Sequence, residues 1–290
     1  MGVVQMTMVV VVAWGLGQAE QMDAERQAEV EAWRQGLSAM ADEHRLSAAD
    51  AADPSAEPFQ RIERPVLLWN QPVRHGQIGA LYLWLQHDGR PAALGTLFAW
   101  RLGTQPWEVM HEFHSLAPHP LKLDFRGRTV WAPTEPGLQW KPFDDDTEVA
   151  TSRPRQSAQV RQLARQFRAH TVTLEKDQWE LRLISRPLHE YATGEGDSIK
   201  CGALFAMSQG TDPELILVIE ARSTDSATRW HYACCAFTDY EAHCQYRDKE
   251  VWSAPATPHG TVFSPAKRYW REFITRDATV PQLKPEPAKQ

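Results

Sequence analysis

The feature that most constrains the fold of this chain is a stretch that occurs twice in loose form. Gly79–Pro133 is matched by Gly202–Pro255, and each copy opens on Gly-Ala-Leu followed by an aromatic residue. Each copy also carries a Val-Trp pair shortly before its closing proline. Changes in spacing between the copies fall at Gly, Ser, Thr and Asp positions, where turns tolerate insertions. We therefore predict an internally duplicated fold.

Each copy has the pattern of an antiparallel β-meander. Short runs rich in β-branched and aromatic residues alternate with turn residues such as Asp-Gly and Pro. The segment Leu215–Ile219 is apolar at every position, so both faces of its sheet must be covered. The predicted strands are Arg64–Asn70, Ala80–Leu85, Leu94–Arg101, Trp107–Leu116, Leu121–Trp131, Thr171–Glu175, Trp179–Ile184, one from Cys201, Leu215–Arg222, Arg229–Phe237 and Ala242–Trp252.

An amphipathic helix is predicted before each meander. In the first half the helical spacing places Met22, Val30, Trp33, Leu37 and Met40 on one stripe, together with Arg26. In the second half the corresponding residues are Val160, Leu163 and Phe167. The connection Asp42–Pro58 is rich in Ala, Asp, Ser and Pro, which predicts a mobile segment. A short helix is expected over Ala266–Phe273 and a disordered tail over Thr279–Gln290.

These elements predict an α+β fold, cystatin-like in outline. Each half would consist of one amphipathic helix followed by an antiparallel meander of five to six strands, and Thr134–Arg155 would join the halves. The expected divisions are a signal peptide (1–19), a first repeat (20–145), a second repeat (155–260) and a C-terminal short helix with its tail (261–290). The alternative is one large curved sheet or barrel-like body that carries both helices.

The first segment predicts export to the periplasm or the extracellular space. Val3–Leu16 has no charged residue, and Gly17-Gln18-Ala19 offers a cleavage site after Ala19. An uncleaved anchor is the alternative, although the stretch is shorter than the about 20 residues that a spanning helix needs. No stable membrane span is expected after cleavage. The net charge of −6 does not favour nucleic acid as a partner.

Four cysteines lie in or beside the second copy: Cys201, Cys234, Cys235 and Cys244. Export would permit disulfides, and four cysteines allow three complete pairings. A hairpin centred within Phe237–Ala242 would place Cys235 opposite Cys244 at a distance suitable for a disulfide. The alternative is that these residues are buried free thiols.

The cluster His111-Glu112-Phe113-His114 is the strongest candidate for acid/base chemistry. A zinc protease needs two His four residues apart on a helix, whereas these are three apart on a predicted strand and point to opposite faces. We therefore predict no metal site and no cofactor. The group His231, Cys234, Cys235, His243 and Cys244 likewise lacks a regular ligand spacing. The catalytic candidates are Glu112 with His111, His114 or His231.

Tryptophan is unusually frequent, with 12 residues in the chain. The pairs Trp107/Trp230 and Trp131/Trp252 recur at equivalent strand positions, which favours a role in the core. The unmatched residues Trp69, Trp100 and Trp140 are the candidates for ligand binding, because aromatic rings stack on sugars and fill interfaces.

Four segments carry a resemblance to a known group of proteins: Glu63–Arg74, Glu112–Leu116, Val130–Pro133 and Gln209–Glu214. Through them most of the mature chain resembles an uncharacterised group of secreted planctomycete proteins of unknown function. The resemblance implies export and carries no activity, cofactor or catalytic residue. The function expected is that of an exported, non-catalytic module that binds an unknown protein, glycan or small molecule. The alternative is a hydrolase with a dispersed acid/base site that acts on an envelope or extracellular substrate.

Overall fold

The computed structural model describes residues 24–49, 57–71, 76–144, 147–194, 198–223, 227–258 and 260–283. Within these ranges the chain forms helix α1 (24–42), helix α2 (Arg153–Ala164) and eighteen β-strands. The strands are β1 (His44–Ala48), β2 (Gln60–Arg61), β3 (Leu67–Gln71), β4 (Gln77–Leu85), β5 (Pro91–Trp100), β6 (Trp107–Ser115), β7 (Leu121–Phe125), β8 (Arg128–Trp131), β9 (Lys141–Pro142), β10 (Phe167–Val172), β11 (Gln178–Leu183), β12 (His189–Ala192), β13 (Ile199–Gln209), β14 (Asp212–Ser223), β15 (Thr228–Ala236), β16 (Glu241–Tyr246), β17 (Lys249–Ala254) and β18 (Tyr269–Ala278).

The strands form three antiparallel sheets. Sheet A has the order β1-β7-β8. Sheet B has the order β18-β6-β5-β4-β2, with β3 also paired to β4. Sheet C has the order β17-β16-β10-β11-β13-β14-β15-β9, with β12 also paired to β13. The long central strands are consecutive hairpins, so their order in each sheet follows their order in the chain.

Sheets B and C face each other across an inner apolar layer. Strands β4 and β14 are buried along almost their whole length, because both of their faces are covered. The inner layer includes Leu81, Leu83 and Leu94 from sheet B and Leu204, Ile216 and Val218 from sheet C. This layer therefore joins the two halves of the chain into one packed body.

Each large sheet has a second core on its outer face. On sheet B, the α1 residues Trp33 and Leu37 are fully buried, and the Trp33 ring lies 5.1 Å from that of Trp107. Sheet A closes the rest of this outer core, to which it contributes Leu123 and Trp131. On sheet C, α2 and the curled strands β10 and β16 enclose the second outer core. Helices therefore cover only part of each outer face.

The predicted α+β fold, duplicated and cystatin-like in outline, is wrong. The described part of the chain is mostly β, with 51% of its residues in strands and 13% in helices. Helix α2 has 12 residues and so spans about 18 Å, too little to cover a sheet of this size, which curls instead so that its own strands supply the cover. In addition, β9 pairs with β15 and β18 pairs with β6, so each large sheet takes an edge strand from the other half.

Several local predictions can be compared with the described residues. The apolar stripe of α1 is confirmed for Val30, Trp33 and Leu37, which are buried, whereas Met22 lies outside the described residues. The second stripe continues past α2, which ends at Ala164, and its residue Phe167 begins β10. Strand β1 lies within the segment predicted to be mobile. The helix predicted over Ala266–Phe273 is wrong, because β18 begins at Tyr269 and pairs with β6.

The segment 1–19, read as a signal peptide, lies outside the described residues, as do 284–290 of the predicted tail. The boundaries at 20–145 and 155–260 stay predictions. Among the helices within the described ranges, none combines the length and the apolar character that crossing a bilayer requires.

Candidate functional site

A cavity of about 440 Å³ lies where β6 and β18 of sheet B meet β15 and β17 of sheet C. Much of its wall is apolar, formed by Trp252 and by alanine and proline residues that follow along the chain. Polar side chains form the rest of the wall at a few positions. The side chains most relevant to its chemistry are His114, Cys235, Thr238, Trp252, Arg268 and Tyr269.

His114 supplies a neutral hydrogen-bond acceptor to this wall. It lies on β6 and is almost fully buried. Its Nδ1 is 2.7 Å from the backbone oxygen of Ser115, so Nδ1–H donates and Nε2 keeps a lone pair. Burial lowers the pKa of His114 to about 4. The imidazole is therefore uncharged at neutral pH.

Behind the cavity lies a buried acidic cluster: Glu112, Glu214, Asp239, Tyr269 and Arg271. Strand β18 places Tyr269 opposite His114 and Arg271 opposite Glu112. The Tyr269 hydroxyl donates a hydrogen bond to Glu112 Oε1, and Arg271 Nη2 donates to Asp239 Oδ2 at 2.8 Å. Glu214 accepts a hydrogen bond from the Thr171 hydroxyl at 3.1 Å. This cluster holds three carboxyl groups and one guanidinium group.

Glu112 is the carboxyl in this cluster whose pKa is raised. Burial raises its pKa to about 7, and the carboxylates of Asp239 and Glu214 act in the same direction. The Arg271 charge and the Tyr269 hydrogen bond oppose the shift. Tyr269 lines the cavity, whereas its hydrogen-bond partner Glu112 does not.

The mouth of the cavity carries two cations and one carboxylate. Lys267 Nζ lies 3.3 Å from Glu135 Oε1, and Arg268 Nη2 lies 3.1 Å from Glu135 Oε2. The hydrogen bond from Lys267 is the main cause that lowers the pKa of Glu135. Within the described part of the chain, Glu135, Lys267 and Arg268 are the charged side chains of the lining. Their charges sum to one net positive charge.

His111 lies on the opposite face of β6 from Glu112 and His114. Its Nδ1 is 3.0 Å from Nε2 of His44, whose Nδ1 donates to the backbone oxygen of Met40 at 2.9 Å. His111 must therefore donate its Nδ1–H to His44. Burial lowers the pKa of His44 to about 4 and that of His111 to about 3. Both rings belong to the aromatic packing around Phe113 and Phe125.

His231 does not join Glu112. It lies on β15 opposite Glu220, five residues before Ala236 at the end of that strand, a separation of about 17 Å along the strand. Asp239, which belongs to the acidic cluster, lies beyond that end. The structure thus brings Glu112 and His114 onto one face of β6 and leaves His111 and His231 elsewhere.

The three tryptophans predicted to bind ligand lie outside the lining of this cavity. Trp69 is 2% exposed, and its ring lies over Gly79 as part of the core. The ring of Trp140 stacks under Arg222, whose guanidinium carbon lies 3.8 Å away, beside a small cavity of about 40 Å³. Trp100 is half-buried at the end of β5.

The cavity tryptophan, Trp252, was assigned to the core because it matches Trp131. Trp131 is fully buried, whereas Trp252 is half-buried and lines the cavity. Prolines follow both residues, at 133 and 136 after Trp131 and at 255 and 258 after Trp252, so the local sequence does not distinguish their surroundings. Tyr269 and Arg268 were also missed, because their segment was read as a helix.

The predicted disulfide between Cys235 and Cys244 is not formed, and all four cysteines are free. Strand β15 pairs with β14 and β9, whereas β16 pairs with β10 and β17, so the two residues are not opposite each other in a hairpin. Cys235 belongs to the inner layer and Cys244 to the outer core of sheet C.

No protein-family model, curated protein or solved structure matches this chain. Function is therefore inferred from the site itself. Within the described ranges, His, Cys, Asp and Glu side chains do not come together in a group of three or more that could hold a metal ion.

A larger groove of about 850 Å³ lies between α1 and the segment that includes Val280 and Leu283. Its charged lining comes from α1 and Arg101, and it contains none of the histidines or buried carboxyls described above.

Proposed function

We propose that the protein is an exported, non-catalytic module that binds a small ligand, or the end of a glycan, in the cavity beside Trp252. The observation that carries this proposal is the cavity of about 440 Å³ with apolar walls and few polar groups. Ligand sites in proteins are clefts of about 300–1,000 Å³ with this distribution of apolar and polar groups. Export rests on the sequence of Val3–Leu16 and on the resemblance to secreted proteins.

The chemistry of the wall defines the ligand class. The half-buried Trp252 offers an aromatic face for a flat or apolar surface such as one face of a sugar ring. Neutral His114 offers an acceptor for a hydroxyl or N–H group. The net positive charge at the mouth favours an acidic group at the end of the ligand that faces solvent. Uronic acids and aromatic hydroxy acids combine these features.

The proposal is tested by isothermal titration calorimetry with a panel of uronic acids, neutral sugars and aromatic hydroxy acids. Saturable binding of an acidic member is expected, with a loss of at least tenfold in affinity for Trp252→Ala. Trp140→Ala is the matched control, because Trp140 is also half-buried and lies outside this cavity. If the whole panel fails to bind, or both variants weaken binding equally, the proposal is wrong.

A hydrolase is the second candidate, supported by the raised pKa of Glu112 and by the position of His114 on the same face of β6. A carboxyl with a pKa near 7 is suited to general acid catalysis. Against this role, Glu112 is not among the residues that line the cavity, whereas its hydrogen-bond partner Tyr269 is. Turnover of chromogenic esters or glycosides that disappears in Glu112→Gln, while ligand binding persists, would favour the hydrolase over the binding module.

A further inference from the structure

Cys234 and Cys244 meet in the outer core of sheet C. Alternation along β15 turns Cys234 toward this core and the neighbouring Cys235 toward the inner layer. Cys244, on β16, is fully buried in the same outer core. The rings of Tyr232 on β15 and Tyr246 on β16 face each other in this core with centroids 6.5 Å apart, and Cys234 and Cys244 lie two residues from them along these strands on the same faces. The two thiols therefore come close enough for a hydrogen bond.

We propose that Cys234 and Cys244 form a disulfide when the protein folds in an oxidising compartment. The pair is separated by nine residues in the chain, and neither strand pairs with the other in the sheet. The contact therefore comes from the curl of sheet C rather than from a hairpin. Of the four cysteines, this is the pair whose thiols are hydrogen-bonded to each other in the described structure.

The oxidant is a disulfide of a small thiol or of a thiol oxidase, acting by thiol–disulfide exchange. The thiolate of one cysteine attacks this disulfide, which forms a mixed disulfide and releases one reduced thiol. The second cysteine then attacks the mixed disulfide and displaces the other reduced thiol. Two S–H bonds of the protein are replaced by one S–S bond, and both protons and both electrons pass to the reduced oxidant.

The disulfide should form during folding rather than in the folded protein. Both thiols are buried, and burial together with the hydrogen bond to Cys244 raises the pKa of Cys234 well above its usual range. Only a thiolate attacks a disulfide, so the closed core protects the pair from exchange. The disulfide should form before β16 packs onto the outer core.

The disulfide would link β15 covalently to the β16–β17 hairpin, and both contribute residues to the cavity wall. Cys244 pairs in register with Trp252 on β17, and Cys234 itself lines the cavity. A covalent link between β15 and β16 would hold the β16–β17 hairpin, and with it Trp252, at a fixed distance from β15. This consequence rests on the proposed binding site, whereas the disulfide itself does not.

The test is refolding of the reduced full chain from denaturant in a buffer of reduced and oxidised glutathione, followed by intact mass measurement without reductant. We expect a loss of 2 Da for one disulfide, calculated from the two hydrogens removed. Alkylation should then modify two cysteines instead of four. The same buffer added to the folded, reduced protein should oxidise it far more slowly.

Single variants identify the pair, because proteolysis cannot readily separate Cys234 from Cys235. Cys235→Ser is the matched control, since it changes a buried cysteine on the other face of the same strand, and it should keep the 2 Da loss. Cys234→Ser and Cys244→Ser should abolish it. Four free thiols in the refolded wild-type protein would overturn the proposal even if variants fail to fold. Loss of the disulfide in Cys235→Ser would show that Cys235 takes part in it and would overturn the proposal.

Discussion

The hydroxyl of Tyr269 donates a hydrogen bond to the carboxyl of Glu112, 157 residues earlier in the chain. This contact lies between the cavity beside Trp252 and the buried acidic cluster. It links the last strand of sheet B to the strand that carries His114. The stability of this region and its response to pH should therefore depend on the pair.

Replacement of Tyr269 by Phe should destabilise the protein by about 1–3 kcal/mol, because it removes one hydrogen-bond partner from a buried carboxyl. The pKa of Glu112 should rise further, since the hydrogen bond from Tyr269 lowers it. Urea unfolding measures the first effect and carbon-13 NMR titration the second. A double-mutant cycle with Glu112→Gln serves as the control. Additive effects of the two changes would show that the pair does not interact.

Glu112 should make the folded protein less stable as pH rises from about 5 to 8. Its pKa in the folded state is about 7, above its ordinary value of 4.5. Between these values the folded state binds more protons than the unfolded state, so the stabilising contribution is complete below pH 4.5 and is lost as pH rises through 7. The slope from one such group is at most about 1.4 kcal/mol per pH unit. Urea unfolding across this pH range should show that Glu112→Gln removes this part of the slope. An unchanged dependence of stability on pH in this variant would contradict the raised pKa of Glu112.

The histidine pair should make the folded protein less stable as pH falls, which is opposite to the effect of Glu112 and occurs over a lower pH range. His44 and His111 have pKa values of about 4 and 3 in the fold, below the ordinary value of 6.5. As pH falls below 6.5 the unfolded chain takes up protons that the folded protein does not, so stability falls until the folded pKa values are reached. Each group contributes at most about 1.4 kcal/mol per pH unit.

Acid unfolding followed by circular dichroism measures this effect. His111→Leu should reduce the slope of stability against pH between 6.5 and 4. The quantity to compare is this slope rather than the absolute stability of the variant. His170→Leu is the control, because His170 is only half-buried and lies on sheet C, away from the His44–His111 pair. An equal reduction in both variants would contradict the role of burial.

Gly79→Ala should destabilise the protein by about 1–3 kcal/mol, because overpacking forces side chains or backbone to move. A Cβ at position 79 would lie 2.2 Å from the ring of Trp69. Gly260→Ala is the matched control, since a Cβ there would meet no atom within 4 Å. Thermal unfolding of both variants measures the difference. Equal melting temperatures would show that the Trp69 ring can move aside without cost.

The strands of the inner sheets could be predicted because their signals are local. Apolar and aromatic runs bounded by turn residues identified β4, β5, β6, β14 and β15, and the spacing of three and four residues in α1 identified its buried stripe. Short strands such as β1, β2, β9 and β12 were missed. Two to five residues carry too little periodicity to distinguish a strand from a loop.

The candidate site was predicted only in part. Glu112 and His114 were identified as polar residues in an apolar strand, and they do lie on one face of β6. Tyr269, Arg271 and Trp252 were not connected with them. Their roles depend on which strand lies beside which, and the residues of β18 carry no local mark of their partner in β6.

The sequence by itself determined the long central strands of this protein, the turns between them and which residues of α1 are buried, because each of these follows from interactions between near neighbours. Only the tertiary structure decided that β18 joins β6, that β9 joins β15 and that sheet C curls to bring Cys244 onto Cys234. These contacts join residues from separate strands that are not paired as hairpins. They form because large apolar sheet faces must be covered, and many arrangements of the same strands satisfy that requirement until the whole chain is packed.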